Sequence, residues 1–489
     1  MEPNTLTTST VEDIMSLFGH AAPGSINPQH LFSALAEATA EEIRTLRKFA
    51  LGKGVAAKDY DKAARAWRMQ QELGCVPATS QDFVDAYATS IGVEADYNGV
   101  LSRTKSVGPF ATDYTIADLE RDAFLANERL RAGFDHTLIR AAIQAWIAAA
   151  RPLRQAEIWA TINDPYAPPA EEEWQKFARA LVDTSRVSLD YAIAVNRKFM
   201  WQIKRKMLGL PVTDHLMPVF CGDQGNGKTT AILKMLAVIA GADRKVSFGE
   251  ITDVRNVDMW RSFALFADEM ERAQKADIEA VKGVITAEML DRRVLGTSNM
   301  VRIRQNGTLI GATNGSLGGN IRDTSGLRRF APIPTLGRPG RSDHPVDWNA
   351  INGTDFAALW RSVQVDDPDP MIPYVTELDS LQEAERERGP VELWLESLSS
   401  HSHRAWREAA ENGIRAEDLF RMYADYESDY IRSPVKLSLQ TWGREMTAYL
   451  AKAEDRSKFR RKRVSEGVRY YPTSMLLIDD AVTALLRAA

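Results

Sequence analysis

Eight consecutive residues, Gly222-Asp223-Gln224-Gly225-Asn226-Gly227-Lys228-Thr229, combine three glycines, a lysine and a hydroxyl at a spacing suited to holding phosphate. Glycines let the backbone wrap closely round a phosphate chain, so that successive amides and the N-terminus of the next helix face the negative charge. Lys228 then meets the β- and γ-phosphates of a nucleotide, Thr229 ligates magnesium, and Thr230 adjoins the same phosphates. The alternative is a Gly-rich turn with a chance lysine. The apolar run Met217-Pro-Val-Phe-Cys221 before the loop and the helix-forming run after it favour phosphate binding.

Hydrolysis of a nucleotide needs a carboxylate at the end of a neighbouring strand to hold the metal, and usually a second to orient and deprotonate water. Phe263-Ala-Leu-Phe-Ala267 ends in Asp268-Glu269 and supplies both. A third apolar run, Thr308-Leu-Ile-Gly-Ala312, ends in Thr313-Asn314, whose neutral amide could orient water or touch the γ-phosphate. Asn before Gly315 is equally the pattern of a plain turn. Asp323-Thr-Ser-Gly-Leu-Arg328-Arg329-Phe330 follows. Its paired arginines either reach the nucleotide of an adjoining subunit, as trans fingers do, or form a solvated or internally paired patch.

These residues need a scaffold, and the texture of the chain supplies one. Short, continuous apolar runs bounded by Gly, Asp and Asn fit strands buried on both faces of an α/β sheet, with a helix over residues 229–240 stopped by Gly241. Upstream, the pattern is helical. Thr10 caps a first helix, residues 41–51 carry apolar side chains at helical spacing, and residues 138–150 are rich in Ala, Ile and Trp before a break at Asp164-Pro-Tyr-Ala-Pro-Pro169. A polar, acidic stretch with prolines, residues 364–390, reads as a linker.

The bulk composition narrows the class. The chain has 489 residues, 44% hydrophobic and 26% charged, enough for two or three domains. Its start has neither the basic nor the apolar segment of a secretory signal, and no run is long enough to span a bilayer, so the expected address is cytoplasmic, without a membrane partner. Two cysteines, Cys75 and Cys221, exclude a disulfide scaffold and a cysteine metal site, which leaves magnesium arriving with the nucleotide. A net charge of −5 argues against a general polyanion binder, but residues 415–489 hold 14 Lys and Arg against 11 Asp and Glu.

The ordered set resembles the virulence-associated protein E (VapE) family, among the superfamily 3-like AAA+ helicases of phages and mobile elements. The residues that carry the resemblance are the loop Gly222 to Thr229, Ala267-Asp-Glu-Met270, Val281-Lys-Gly-Val-Ile-Thr286 with Asp291-Arg-Arg293, Gly311-Ala-Thr-Asn314, and Asp323 to Phe330, within residues 188–360. The resemblance implies a homo-hexameric ring with ATP and magnesium between subunits and a single DNA strand in the pore. It implies that Lys228 and Thr229 act as the Walker A lysine and metal ligand, Asp268 and Glu269 as Walker B, Asn314 as sensor 1, and Arg328 or Arg329 as the trans finger. Lys282 and Arg293 match charged family positions. Many relatives have a less acidic Walker B pair, and Asp268-Glu269 departs from them toward the general helicase pattern.

Superfamily 3 helicases place a pore hairpin between the positions of Asp291 and Gly311. Here Gly296-Thr-Ser-Asn299 would be its tip, and Val301-Arg-Ile-Arg-Gln305 alternates so that Arg302 and Arg304 share a face, to grip phosphates or merely to expose charge. Near the C-terminus, two helical stretches precede a basic hairpin in which Lys458, Arg460, Arg461, Lys462 and Arg463 lie near Tyr470 and Tyr471. That pattern fits a winged helix contacting duplex DNA, with a solvated edge or subunit contact as the alternative.

The expected fold is therefore an α/β P-loop AAA+ ATPase core with an α-helical N-terminal region and a small α+β winged-helix-like C-terminal domain. The expected segments are 1–107 (helical), 108–208 (helical, an oligomerisation collar), 209–363 (ATPase core), 364–413 (linker and helices) and 414–489 (winged helix). The expected function is an ATP-dependent DNA helicase or replication initiator of a phage or mobile element. The rivals are an AAA+ switch or remodeller without unwinding, and the helicase part of a primase-helicase system.

Overall fold

The N-terminal half is built from α1 (Val11–Leu17), α2 (Pro28–Ser33), α3 (Ala40–Gly52), α4 (Ala57–Leu73), α5 (Ser80–Ile91), the short strands β1 (Val93–Ala95) and β2 (Leu101–Arg103), α6 (Ile116–Leu130), α7 (His136–Ile162), α8 (Glu171–Leu181) and α9 (Leu189–Met207). The structure is a computed structural model that describes residues 10–33, 35, 37–103, 114–253, 255–268, 270, 278–293, 300–321, 327–386, 389–398, 403–430, 436–453 and 457–477. Four helices start on the same device. Thr10, Thr39, Thr79 and Thr115 each accept from the backbone N–H three residues on, and Asp13, Glu42, Asp82 and Asp118 accept in return from the threonine N–H.

Two apolar clusters hold these helices. One gathers Ile14, Leu31, Leu46 and Tyr60; the other gathers Phe83, Leu119, Ile139 and Ile143. The second draws on residues from both sides of residue 107, where the sequence reading divides the helices.

Next comes a sheet built from β3 (Met217–Gly222), β4 (Asp243–Val246) and β5 (Ala264–Ala267), interrupted by the antiparallel hairpin β6 (Met289–Arg293) and β7 (Met300–Arg304), and completed by β8 (Thr308–Asn314) and β9 (Phe330–Pro334). Its five strands run parallel in the order β4-β5-β8-β3-β9. This is a mixed α/β architecture. Met217, Val219 and Phe220 of β3 are fully buried, and each such side chain contributes about 1.5–3 kcal/mol. Between β3 and β4, α10 (Lys228–Leu236) passes into a 3-10 turn and stops at Gly241, whose φ is +86°.

The expected linker is not one at its start. Residues 364–378 lie along α9, where buried polar groups of that helix need partners. Lys198 pairs with Asp369, Lys204 Nζ donates to Val363 O at 2.6 Å, and Trp201 Nε1 donates to Asp367 O at 3.1 Å. Glu377 accepts from both the N–H and the hydroxyl of Ser188, at 2.7 Å each, where α9 begins.

The chain divides into two compact units, Met1–Ser316 with Arg329–Leu378, and Leu317–Arg328 with Asp379–Ala489. In the second unit the helices Pro390–Ser397 and His403–Asn412 precede β10 (Ile414–Arg415), two further helices (Ala416–Tyr430 and Leu439–Ala453), and the strands β11 (Phe459–Val464) and β12 (Gly467–Pro472). The strands pair antiparallel in the order β10-β12-β11. Its core is aromatic: Trp442 lies 6.3 Å from Tyr423 and 5.7 Å from Tyr470, ring centre to ring centre. Strand β10 is an addition to the two helices and hairpin expected over residues 414–489. No helix among the described residues is long and apolar enough to cross a membrane.

Candidate nucleotide site

Because β3, β5 and β8 are parallel, their C-terminal ends converge, and each ends in a residue of the candidate site. After β3 the loop turns through Gly225 and Gly227, with φ of +83° and +84°, values that favour glycine. At Gly227 the fit is steric as well: a Cβ would lie 1.9 Å from the Trp348 ring. Asn226 is fully buried and fastens the loop from within, its amide donating to Thr335 Oγ1 and, at 3.1 Å, to Leu336 O.

Lys228 opens α10 and is itself buried. Its ammonium donates to Gly222 O at 2.8 Å, Asp223 O at 2.7 Å, Asn226 Oδ1 at 3.0 Å and Asn314 Oδ1 at 3.4 Å. Thr229 Oγ1 donates to Asp268 Oδ1 at 2.9 Å, and the other carboxylate oxygen pairs with Lys245 Nζ at 2.7 Å. Asn314 stands on β8, between the loop strand and the strand that leads to Asp268. A cavity of about 340 Å³ runs past loop residues 224–230, Asp268, residues 312–314 and Trp348.

The donor set fits magnesium and phosphate. A hydroxyl beside a carboxylate offers the hard oxygens that magnesium takes, and left-handed glycines leading into a helix N-terminus suit a phosphate chain. Lys228, Thr229, Asp268 and Asn314 are brought together, Gln224 and Thr230 line the same cavity, and Asp223 meets Lys228 through its carbonyl. Glu269 and Asn299 lie outside the described residues, as does the whole expected hairpin tip, residues 296–299.

The remaining candidates lie elsewhere. Arg328 is exposed, at the edge of the second unit. Arg329 is half-buried, and its carbonyl accepts from Met217 N at 2.8 Å, at the start of β3 and so roughly 17 Å of strand from the loop. Near it, burial pushes His215 down to about 3, with Lys206, Lys198 and Arg329 adding repulsion. Lys282 is buried and Arg293 exposed. Arg302 and Arg304 do share an exposed face, but Arg302 is held by Asp291 at 2.9 and 3.2 Å, and Arg304 lies against Gly209.

In the second unit Arg460, Arg461, Lys462 and Arg463 are all exposed along β11. Lys458 does not join them: its ammonium donates to Glu396 O at 3.0 Å and Leu398 O at 2.6 Å, clamping the start of β11. Tyr470 is buried in the aromatic core, leaving Tyr471, half-buried, as the tyrosine nearer to solvent. Sequence reasoning missed Lys245, Thr335 and Trp348. Lys245 follows an exposed, unremarkable run on β4, and nothing in the spacing ties Thr335 or Trp348 to a loop more than a hundred residues earlier.

Residues 170–365, which contain every residue of this cavity, match the family model for the virulence-associated protein E-like domain. The chain carries a domain of that family. The VapE-like domain begins before α8 and ends just past residue 363, so it takes in α9, the whole sheet and the hairpin. No curated protein matches the chain. Solved structures with similarity include two apo structures of the NrS-1 C-terminal region (residues 305–718 of that protein). One is 12% identical, with a TM-score of 0.38 over 64% of this chain and 77% of that one. The other, an A form, is 11% identical, with a TM-score of 0.36 over 65% and 78%.

Proposed function

We propose that the VapE-like domain is an AAA+ ATPase and that the chain is a DNA helicase or replication initiator of a phage or mobile element, acting as a homo-hexameric ring in a bacterial cytoplasm. The observation that carries this reading is the meeting of Lys228, Thr229, Asp268 and Asn314 round one cavity at the C-terminal ends of parallel strands. Lys228 would bind the β- and γ-phosphates of ATP, Thr229 and Asp268 would hold magnesium, and Asn314 would orient water. Magnesium, when bound, neutralises charge on the phosphates.

The position of Arg329 supports a shared site. It sits at the opposite end of β3 from its own loop, so as a finger it would serve a nucleotide held by another copy, and the exposed Arg328 has the same use open to it. For DNA, Arg302 and Arg304 present one face of the β6–β7 hairpin, and the exposed pair with Asp291 is the kind a phosphate displaces readily. The element order helix, β10, helix, helix, β11, β12 in the second unit supports a winged helix, whose β11 row would contact duplex phosphates.

The test is ATP turnover with and without forked DNA, paired with strand displacement. Turnover should rise with DNA, and Lys228→Ala should abolish both turnover and displacement. Turnover indifferent to DNA would leave an ATPase switch or remodeller in place of the helicase.

A further inference from the structure

The N-terminal helices hold a charged cavity that the nucleotide reading leaves without a role. Its walls are fixed. Tyr60 Oη donates to Ile43 O at 2.9 Å, tying α4 to α3, and Arg47 grips Asp61 across the same two helices at 2.8 and 3.1 Å. Against them lies the end of α6, where Arg131 caps the helix with a φ of +52°. The cavity between these elements measures about 670 Å³.

The charged residues of its lining are cations with a single exception. Helix α3 contributes Arg44 and Arg47; α4 contributes Lys58, Lys62, Arg65 and Arg68; α6 contributes Arg131. Asp61 is the one carboxylate among the described lining residues, and Arg47 already holds it. The Arg47 hydrogen bond keeps the Asp61 carboxyl below its usual range, and Arg131 and Arg68 add to that, which places their charges close by. Seven cations thus face one acid in a chain whose net charge is −5. Crowding like charges works against the compact state, so the cluster is best explained by an anion that it meets.

The shape of the cluster identifies the anion. Lys58, Lys62 and Arg65 recur at the spacing that puts side chains on one helix face, and Arg68 extends the row. From Lys58 to Arg68 the row covers about 15 Å of helix axis. Phosphates along one strand of duplex DNA recur about every 3.4 Å, so a run of phosphates can cover the row and a single phosphate cannot.

We propose that this cavity binds the phosphate backbone of a nucleic acid. The site stands independently of whether the Lys228 loop binds ATP. The test uses the full chain and fluorescence anisotropy with a short labelled oligonucleotide across a salt series. The double variant Lys62→Glu, Arg65→Glu should weaken binding by on the order of tenfold or more and reduce the slope of log affinity against log salt by about two. The milder variant Lys62→Gln, Arg65→Gln should show a similar loss of slope with an unchanged melting temperature, which separates lost contacts from misfolding. ATP turnover without DNA should stay at the parental rate in both. Unchanged affinity and slope in both variants would overturn the proposal. So would inorganic tripolyphosphate that competes as tightly as the oligonucleotide and loses this ability in the variants, because the ligand would then be a small polyphosphate.

Discussion

Lys228 and Arg461 each carry one positive charge, and their surroundings have almost nothing else in common. Lys228 is buried, and carbonyl or amide oxygens from four residues fix its ammonium in place. Arg461 stands in a row of four exposed cations on β11. A buried cation has already lost its water, so it acts at one point and salt screens it little. An exposed row keeps its water, recognises charge more than shape, and weakens as salt rises. The first arrangement suits bond-breaking at a fixed phosphate and the second suits holding a backbone in any register.

The sharpest break in that comparison comes at the buried end. Asp268→Ala leaves Thr229 and Lys245 without their shared carboxylate, and ATP turnover should fall by on the order of 100-fold or more while DNA affinity at fixed salt is unchanged. Near-parental turnover would show that Asp268 is no part of the chemistry. At the exposed end, Arg461→Glu with Arg463→Glu should cost on the order of tenfold in DNA affinity at low salt and about two units of salt slope, with basal turnover intact. An equal loss at every salt concentration would mean that these arginines shape the fold and do not contact phosphate.

The smallest effect concerns buried cations away from the loop. Burial lowers Lys206 from 10.5 to about 7 and Lys204 to about 8. Above those values the folded chain binds fewer protons than the unfolded chain, whose lysines titrate near 10.5, so stability from these groups grows as pH rises from about 7 toward 10.5 and is lost as pH falls through 7. Urea midpoints should therefore rise between pH 7 and pH 9, and Lys206→Met should flatten that rise. An identical rise in the variant would place the proton change elsewhere.

What was legible in the sequence follows the same division. Strands buried on both faces read as unbroken apolar runs, so β3, β5 and β8 and the residues at their ends could be located, and glycine spacing marked the loop. Local patterns also gave the α1 cap and the stop at Gly241. Long-range contacts left no such trace. Trp348 closes over Gly227 and Thr335 fastens Asn226 because β9 and the chain after it return to the loop, which no local pattern reports. The α9 lysines carried the opposite of their usual signal: lysine normally marks solvent, and here Lys198 and Lys204 are buried and hold Asp369 and the Val363 carbonyl. Tyr470 and Tyr471 are neighbours that only strand alternation separates, one into the aromatic core and one toward solvent.

Strand β8 has a further mechanical consequence. Its last residue, Asn314, touches Lys228, and just before its first residue Gln305 and Gly307 are gripped by Lys206 at 2.8 and 2.6 Å, at the root of the β6–β7 hairpin. The strand between them is paired on both sides and roughly 20 Å long. Loop and hairpin are thus the two ends of one stiff rod, and a push at either end has little slack to take up before it arrives at the other.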